Sequence, residues 1–215
     1  MSALPQLRAV GVLPQTPMVP WTFELGRVQG LSAHALDVHL GLYASYVKEA
    51  NELLKQLREF PRPHELSASE RLQRDGLVRR FSFEHNGVRL HEAFFEALGG
   101  PGSRPPSAGP FYRAVESSFG KIDNWKNDVA ELAKTRGVGW VVTYRCPVEN
   151  RLTNVWVDDH TRGLLLDLTP IAVFDLWEHA YMFDFEPSRR GDYINVLFEN
   201  LNWDTLEKRC GRAAE

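Results

Sequence analysis

Seven histidines are the side chains best suited to chemistry in this 215-residue sequence: His34, His39, His64, His85, His91, His160 and His179. A neutral imidazole binds Fe, Mn, Zn or Cu, and it can also move a proton near neutral pH. Three of them lie in helical spacing among apolar or aromatic neighbours: His39 in LDVHLGLY, His91 in VRLHEAFFEAL and His179 in FDLWEHAYMFDF. A lone histidine in such a setting is ordinarily a packed, hydrogen-bonded core residue. The third differs, because Asp175 precedes His179 by four positions and a helix would put both on one face. A carboxylate in an apolar stretch needs a partner, since burying it unpaired costs several kcal/mol. A di- or trivalent cation shared with imidazoles is an economical partner. D-x-x-x-H alone is a weak signal, because many helices contain it by chance.

Residues 1–25 carry four prolines and no clear period, and read as an extended arm. From Leu31 the pattern turns helical. Ser32 can cap a helix that carries His39 and stops before Pro61 and Pro63. SASE at Ser67 is a capping-box pattern, and the helix it starts, with room for a break, carries His91 and reaches about Leu98. Residues 26–98 therefore form a helical-hairpin domain. Residues 99–110 (GGPGSRPPSAGP) are mostly Gly or Pro and mark a linker. Beyond it, residues 111–215 form an α+β domain. Two short helices fall within 111–135, three strand-like runs follow (VGWVVTYR, RLTNVWVDD, LLLDLTPIAVFDL), and a last helix spans YINVLFENLNWDTLEKRC. The fold class is thus α+β: a long N-terminal helical hairpin, then a small three-stranded antiparallel sheet flanked by helices.

Composition narrows the function classes. Hydrophobic residues are 43%, charged residues 25%, and net charge is −3, which argues against a nucleic-acid partner. No apolar run approaches the roughly 18 residues of a spanning helix, and the proline-broken N-terminus does not read as a signal peptide. Cys146 and Cys210 lie far apart and give no disulfide framework, so a reduced, cytoplasmic protein is expected.

DLWEHAYMFDF, followed by SRRGDYINVLFENLNW, resembles the C-terminal signature of iron/manganese superoxide dismutases, the D-x-W-E-H-A-Y motif. LSAHALDVH with YVKEANELL resembles that family's first helix, and FEHNGVRLHEAFFEAL its second. SSFGKIDNWKNDV and GVGWVVTYR resemble the start of its C-terminal domain. All but about the first 20 residues are covered, in order.

The resemblance implies metal ligands His39, His91, Asp175 and His179, holding one Fe or Mn ion per subunit together with bound solvent, iron favoured. It implies dismutation of superoxide to dioxygen and hydrogen peroxide as the metal cycles between +3 and +2, in a homodimer or homotetramer. Further roles are implied around the ion. Gly87, four before the second ligand, excludes a glutamine found there in iron-type members, and His160 aligns with the alternative position whose side chain bonds the bound solvent. Tyr46 aligns with the gateway tyrosine, while Trp140 and Trp177 match aromatics walling the pocket. Glu178 matches a glutamate that reaches the partner subunit's histidine, and Arg190 a cation near the substrate funnel.

Two departures stand out. The family's histidine four after the first ligand and tyrosine three after the last, bonded across the dimer, are Tyr43 and Met182 here. The interval from His39 to Tyr46 is also one residue short. On a regular helix positions 39, 43 and 46 share a face, whereas the family's spacing would rotate the tyrosine by about 80° unless the helix bulged. Either Tyr43 or Tyr46 could then approach the bound solvent. A redox protein of this fold with an altered gate and another small substrate, or a metal-free scaffold relative, are the alternatives.

Overall fold

The computed structural model describes residues 16–61, 63–99 and 105–212. The first fifteen residues of the expected arm and residues 100–104 of the Gly/Pro segment lie outside that description. The Ser32 hydroxyl accepts the Ala35 N–H (3.1 Å) and starts α1, Ala33–Glu59. Its buried face repeats at three- and four-residue intervals through Ala35, His39, Tyr43, Val47, Ala50, Leu54 and Leu57. α1 is α-helical from end to end, without a bulge. At the start of α2, Ala68–Glu96, Ser67 and Glu70 form the reciprocal capping box. α2 runs unbroken through Gly76 and Gly87 and packs antiparallel on α1, since the connection between them is short.

The second half holds α3 (Pro110–Phe119) and α4 (Ile122–Leu132). The strands are β1 (Gly139–Arg145), β2 (Leu152–Asp158) and β3 (Thr169–Asp175), in the antiparallel order β2-β1-β3. The third strand is shorter than its apolar run, and residues 164–168 form the loop before it. β1 is central and buried along its whole length, as its unbroken Trp-Val-Val-Thr-Tyr run requires. α5 (Glu178–Tyr181) is a single turn; α6 (Arg190–Glu199) and α7 (Trp203–Arg212) follow.

The expected last helix is therefore two helices. Asn200 ends α6 by turning its amide onto the Val196 carbonyl (2.8 Å) and the Gln29 carbonyl (2.7 Å). Asn202 then accepts the Thr205 N–H (3.2 Å) and begins α7. The two asparagines in ENLNW were the local signal, masked by the apolar period on both sides.

Arg209 on α7 ties the halves together. Its guanidinium donates to the Ile171 carbonyl on β3 (3.0 Å) and the Ala93 carbonyl on α2 (2.9 Å), with Glu96 at 2.7 Å. The helix bearing His91 and the strand ending in Asp175 are thus held by one planar cation. Among the described residues no helix is long and apolar enough to cross a membrane.

Candidate metal centre

Four elements converge at the expected ligands. α1 contributes His39, α2 His91, the last residue of β3 Asp175, and α5 His179. One ligand atom from each lies within 4.8 Å of the others. Nε2 of His39, His91 and His179 stands 3.1, 3.6 and 3.4 Å from the same Asp175 Oδ2. The carboxylate is aimed from behind, because Oδ1 accepts the Trp177 backbone N–H (2.8 Å). His91 is aimed in the same way: Nδ1 donates to the Gly87 carbonyl (2.7 Å), leaving Nε2 with its lone pair forward.

The donor set fits a metal ion. Nε2 of His91 and of His179 are buried with no hydrogen-bond partner, an expense that a cation would relieve. Burial pushes the His39 and His91 imidazoles below their ordinary pKa, so both are neutral. Burial alone would raise the Asp175 carboxyl, but the His179 and His39 rings beside it outweigh burial and hold it well below the usual carboxylate range. Neutral imidazoles with an ionised carboxylate are the protonation states that ligate Fe or Mn.

His160 lies just past β2, in a turn where Asp159 takes a positive φ of 47°, yet it is fully buried. Asn86 holds its carbonyl (2.8 Å), and Trp177 stacks on its ring at 4.8 Å. Trp140 donates its indole N–H to His160 Nδ1 (3.1 Å), and indole nitrogen can only donate. Nδ1 is therefore the acceptor, which assigns the proton to Nε2. Burial lowers this ring to about 4, so the neutral tautomer persists. Its Nε2–H meets the Tyr46 hydroxyl oxygen at 2.9 Å. The chain of donors runs Trp140 to His160 to Tyr46, and the phenolic hydrogen is left free at its end. The β1–β3 register supports this, since it sets Trp140 opposite Asp175.

Tyr43 does not join the cluster. Its hydroxyl donates to buried Glu92 (3.1 Å) and accepts the Trp21 N–H (2.9 Å), pinning the N-terminal segment to α1 and α2. The Tyr43 ring packs among Phe23 (5.6 Å), Phe95 (6.2 Å) and His91 (6.4 Å), while the Tyr46 ring lies nearer His91 (5.1 Å) and its hydroxyl meets His160. Arg190 is likewise occupied. Its guanidinium holds the carbonyls of Thr135 (3.0 Å), Leu176 (3.2 Å) and Gly137 (3.4 Å), and so braces the segment following β3. Glu178 is exposed, on a rim with Val38, Leu42, Met182 and Phe183 around the partly open His179.

Gly87 has a role that its resemblance as an absent glutamine did not suggest. A Cβ there would stand 2.9 Å from the Tyr46 ring, so the missing side chain is what admits that ring. Phe83 (4.6 Å from the His160 ring), Asn86 and Glu84 also border the pair. Helical spacing from His91 was the one signal that could have found Glu84, seven positions upstream.

Comparison with known proteins agrees with this geometry. Residues 107–209 match the family described as iron/manganese superoxide dismutases, C-terminal domain. The chain is 28% identical over 199 residues to an iron superoxide dismutase of Cupriavidus metallidurans, covering 91% of this chain and 96% of that one. It is 31% identical to a manganese superoxide dismutase of Haloferax volcanii (83% of this chain, 84% of that one). A third relative, an iron superoxide dismutase of Sulfolobus acidocaldarius, is 31% identical over 183 residues, with 83% and 85% covered. Relatives that match across both the helical hairpin and the sheet, together with three imidazoles meeting one carboxylate oxygen at the junction of those parts, make the chain a member of the iron/manganese superoxide dismutase family.

Proposed function

We propose that this protein dismutates superoxide, converting two superoxide anions and two protons into dioxygen and hydrogen peroxide. The observation that carries the reading is the convergence of three imidazole Nε2 atoms on Asp175 Oδ2. An Fe or Mn ion held by His39, His91, Asp175 and His179 would supply a one-electron couple between its +3 and +2 states. One such ion is held per subunit, with iron slightly favoured over manganese.

The chain's own residues handle the protons. Tyr46 delivers its free hydroxyl hydrogen to the substrate anion as that anion is reduced, and His160 Nε2–H steadies the oxygen left behind. Trp140 keeps His160 in the donating tautomer, and Trp177 walls off water from the other side. Tyr43 and Arg190 act by bracing the elements that carry the ligands. The apolar rim of Val38, Leu42, Met182 and Phe183 supports a homodimer, or a tetramer built from it, with Glu178 reaching the partner. The hairpin (26–98) and the α+β part (111–215) are taken as two domains sharing the ion. Two free cysteines support a reducing compartment such as the cytoplasm.

The deciding experiment is superoxide decay per bound metal, followed directly after a radiolytic pulse on iron-loaded and manganese-loaded protein. A rate constant near the ceiling of about 10⁸–10⁹ M⁻¹s⁻¹ is expected with iron. Decay no faster than that of the free metal, from a fully loaded site, would overturn the assignment.

A further inference from the structure

Outside the Tyr46–His160 pair the surface opens into a pocket whose wall includes Tyr46, Glu49, Arg80, Phe83 and Glu84. Glu84 is the unusual member, a carboxylate only 2% exposed on a helix face that otherwise packs. Arg80, 60% exposed and seated over the Phe83 ring at 4.7 Å, meets it at 2.5 Å. Losing water around a carboxylate is costly, and a mostly solvated arginine repays only part of that cost. An amide or apolar side chain would satisfy packing more cheaply. A buried acid kept at such a cost beside a functional pair calls for a chemical reason.

The reaction supplies one. Dismutation consumes two protons per cycle, and Tyr46, a partly buried member of that wall, must regain each proton it gives. We propose that Glu84 is the group that takes protons from solvent in this pocket and passes them to Tyr46, directly or across one water. The inference rests on the dismutase reading. In each transfer the Tyr46 O–H bond breaks as its proton goes to the reduced substrate anion. The Glu84 carboxylic O–H bond then breaks as its proton reprotonates the Tyr46 oxygen, and the carboxylate takes a proton from pocket water. No electron changes hands at either residue.

Charges around the site agree with this role. On α1, Glu49 and Tyr46 face Glu84; on its own helix Arg80 does; behind Tyr46 stands neutral His160. Burial raises the Glu84 carboxyl above its ordinary range, Arg80 pulls it back and Glu49 adds to the rise.

Glu84→Gln in the metal-loaded full chain keeps the side chain's size and removes the acidic proton. We expect kcat to fall about tenfold or more while kcat/KM stays within about twofold. Millimolar imidazole buffer should restore kcat, which no purely structural defect would allow, and Glu84→Asp should keep most of it. If the loaded wild type does not dismutate, the function falls and this inference with it. If the wild type is fast and Glu84→Gln is equally fast, or slow without rescue, this inference alone falls. A second readout needs neither turnover nor a variant: in the metal-free wild type the Glu84 carboxyl ¹³C signal should titrate above the ordinary value of about 4.3. A midpoint at or below that value overturns the proposal.

Discussion

Oδ2 of Asp175 is approached by three imidazole nitrogens, while Oδ1 is spent on the Trp177 backbone, so its loss cannot be covered by a neighbour. Asp175→Ala should lower metal affinity by more than about a hundredfold, because losing even an outer partner of a ligand costs ten- to a hundredfold. Metal content after dialysis, measured by mass spectrometry, checks this; near-stoichiometric metal would contradict it. Trp140→Phe tests the tautomer argument. Phe fills most of the buried space but cannot donate to His160 Nδ1, so ¹⁵N shifts should show the Nδ1–H form gaining population at the expense of Nε2–H. The cysteines give a third residue-scale test. Burial pushes the Cys210 thiol up to about 11, so its thiolate fraction at pH 8 is on the order of one in a thousand. Half-exposed Cys146 should therefore react alone with a thiol reagent in the native protein, and Cys210 only after denaturation.

Elements fix how those residues meet. α1 and α2 touch closely where Gly87 leaves room for the Tyr46 ring, and helix propensity there favours alanine by about 1 kcal/mol. Gly87→Ala should consequently leave the melting temperature close to wild type while lowering the dismutation rate several-fold, since Tyr46 must move off His160 to clear a 2.9 Å contact. Equal losses of stability and rate would show that the helix itself had been disrupted. Glycine matters differently at Gly109, where φ is 118° and α3 has no capping side chain of its own. Glu207 of α7 reaches over to accept the Phe111 and Tyr112 N–H groups at 2.8 and 3.1 Å. Calorimetry on Glu207→Ala should show a loss of about 1.5–3 kcal/mol, because those bonds are to a charged acceptor at a helix N-terminus.

Across the whole molecule, the ligands come from helices of one half and from strand and turn of the other, and the core runs continuously between them. Any metal bound here therefore cross-links regions distant in sequence, as His39 and Asp175 are 136 positions apart. The face beside His179 carries exposed Val38, Met182 and Phe183, a grouping that water does not favour. In the proposed dimer Met182→Lys would put a charge into this face, and light scattering should show the mass falling toward one chain. An unchanged mass would overturn the proposed contact at this face.

Much of this arrangement is legible in the sequence. Ser32, the Ser67–Glu70 box and the buried repeats of α1 and α2 are local signals, carried by hydrogen bonds and periodicities within a few residues. D-x-W-E-H-A-Y, with its two upstream histidines, named four side chains that now stand within 4.8 Å of one another. The break at Asn200–Asn202 was written locally too, but a strong apolar period on either side concealed it. The rest depended on contacts between residues far apart in the chain. Tyr43 and Tyr46 carry the same ring three positions apart, and only the neighbours folded against them send one hydroxyl to Glu92 and the other to His160. Arg190 reads as a free cation in SRRGDY until three carbonyls from other segments claim it. Residue types and spacing determined which groups could bind a metal, because ligand chemistry is intrinsic to a side chain. Orientation, burial and proton location were decided by tertiary structure, because each depends on the field and hydrogen bonds of residues that sequence order keeps apart.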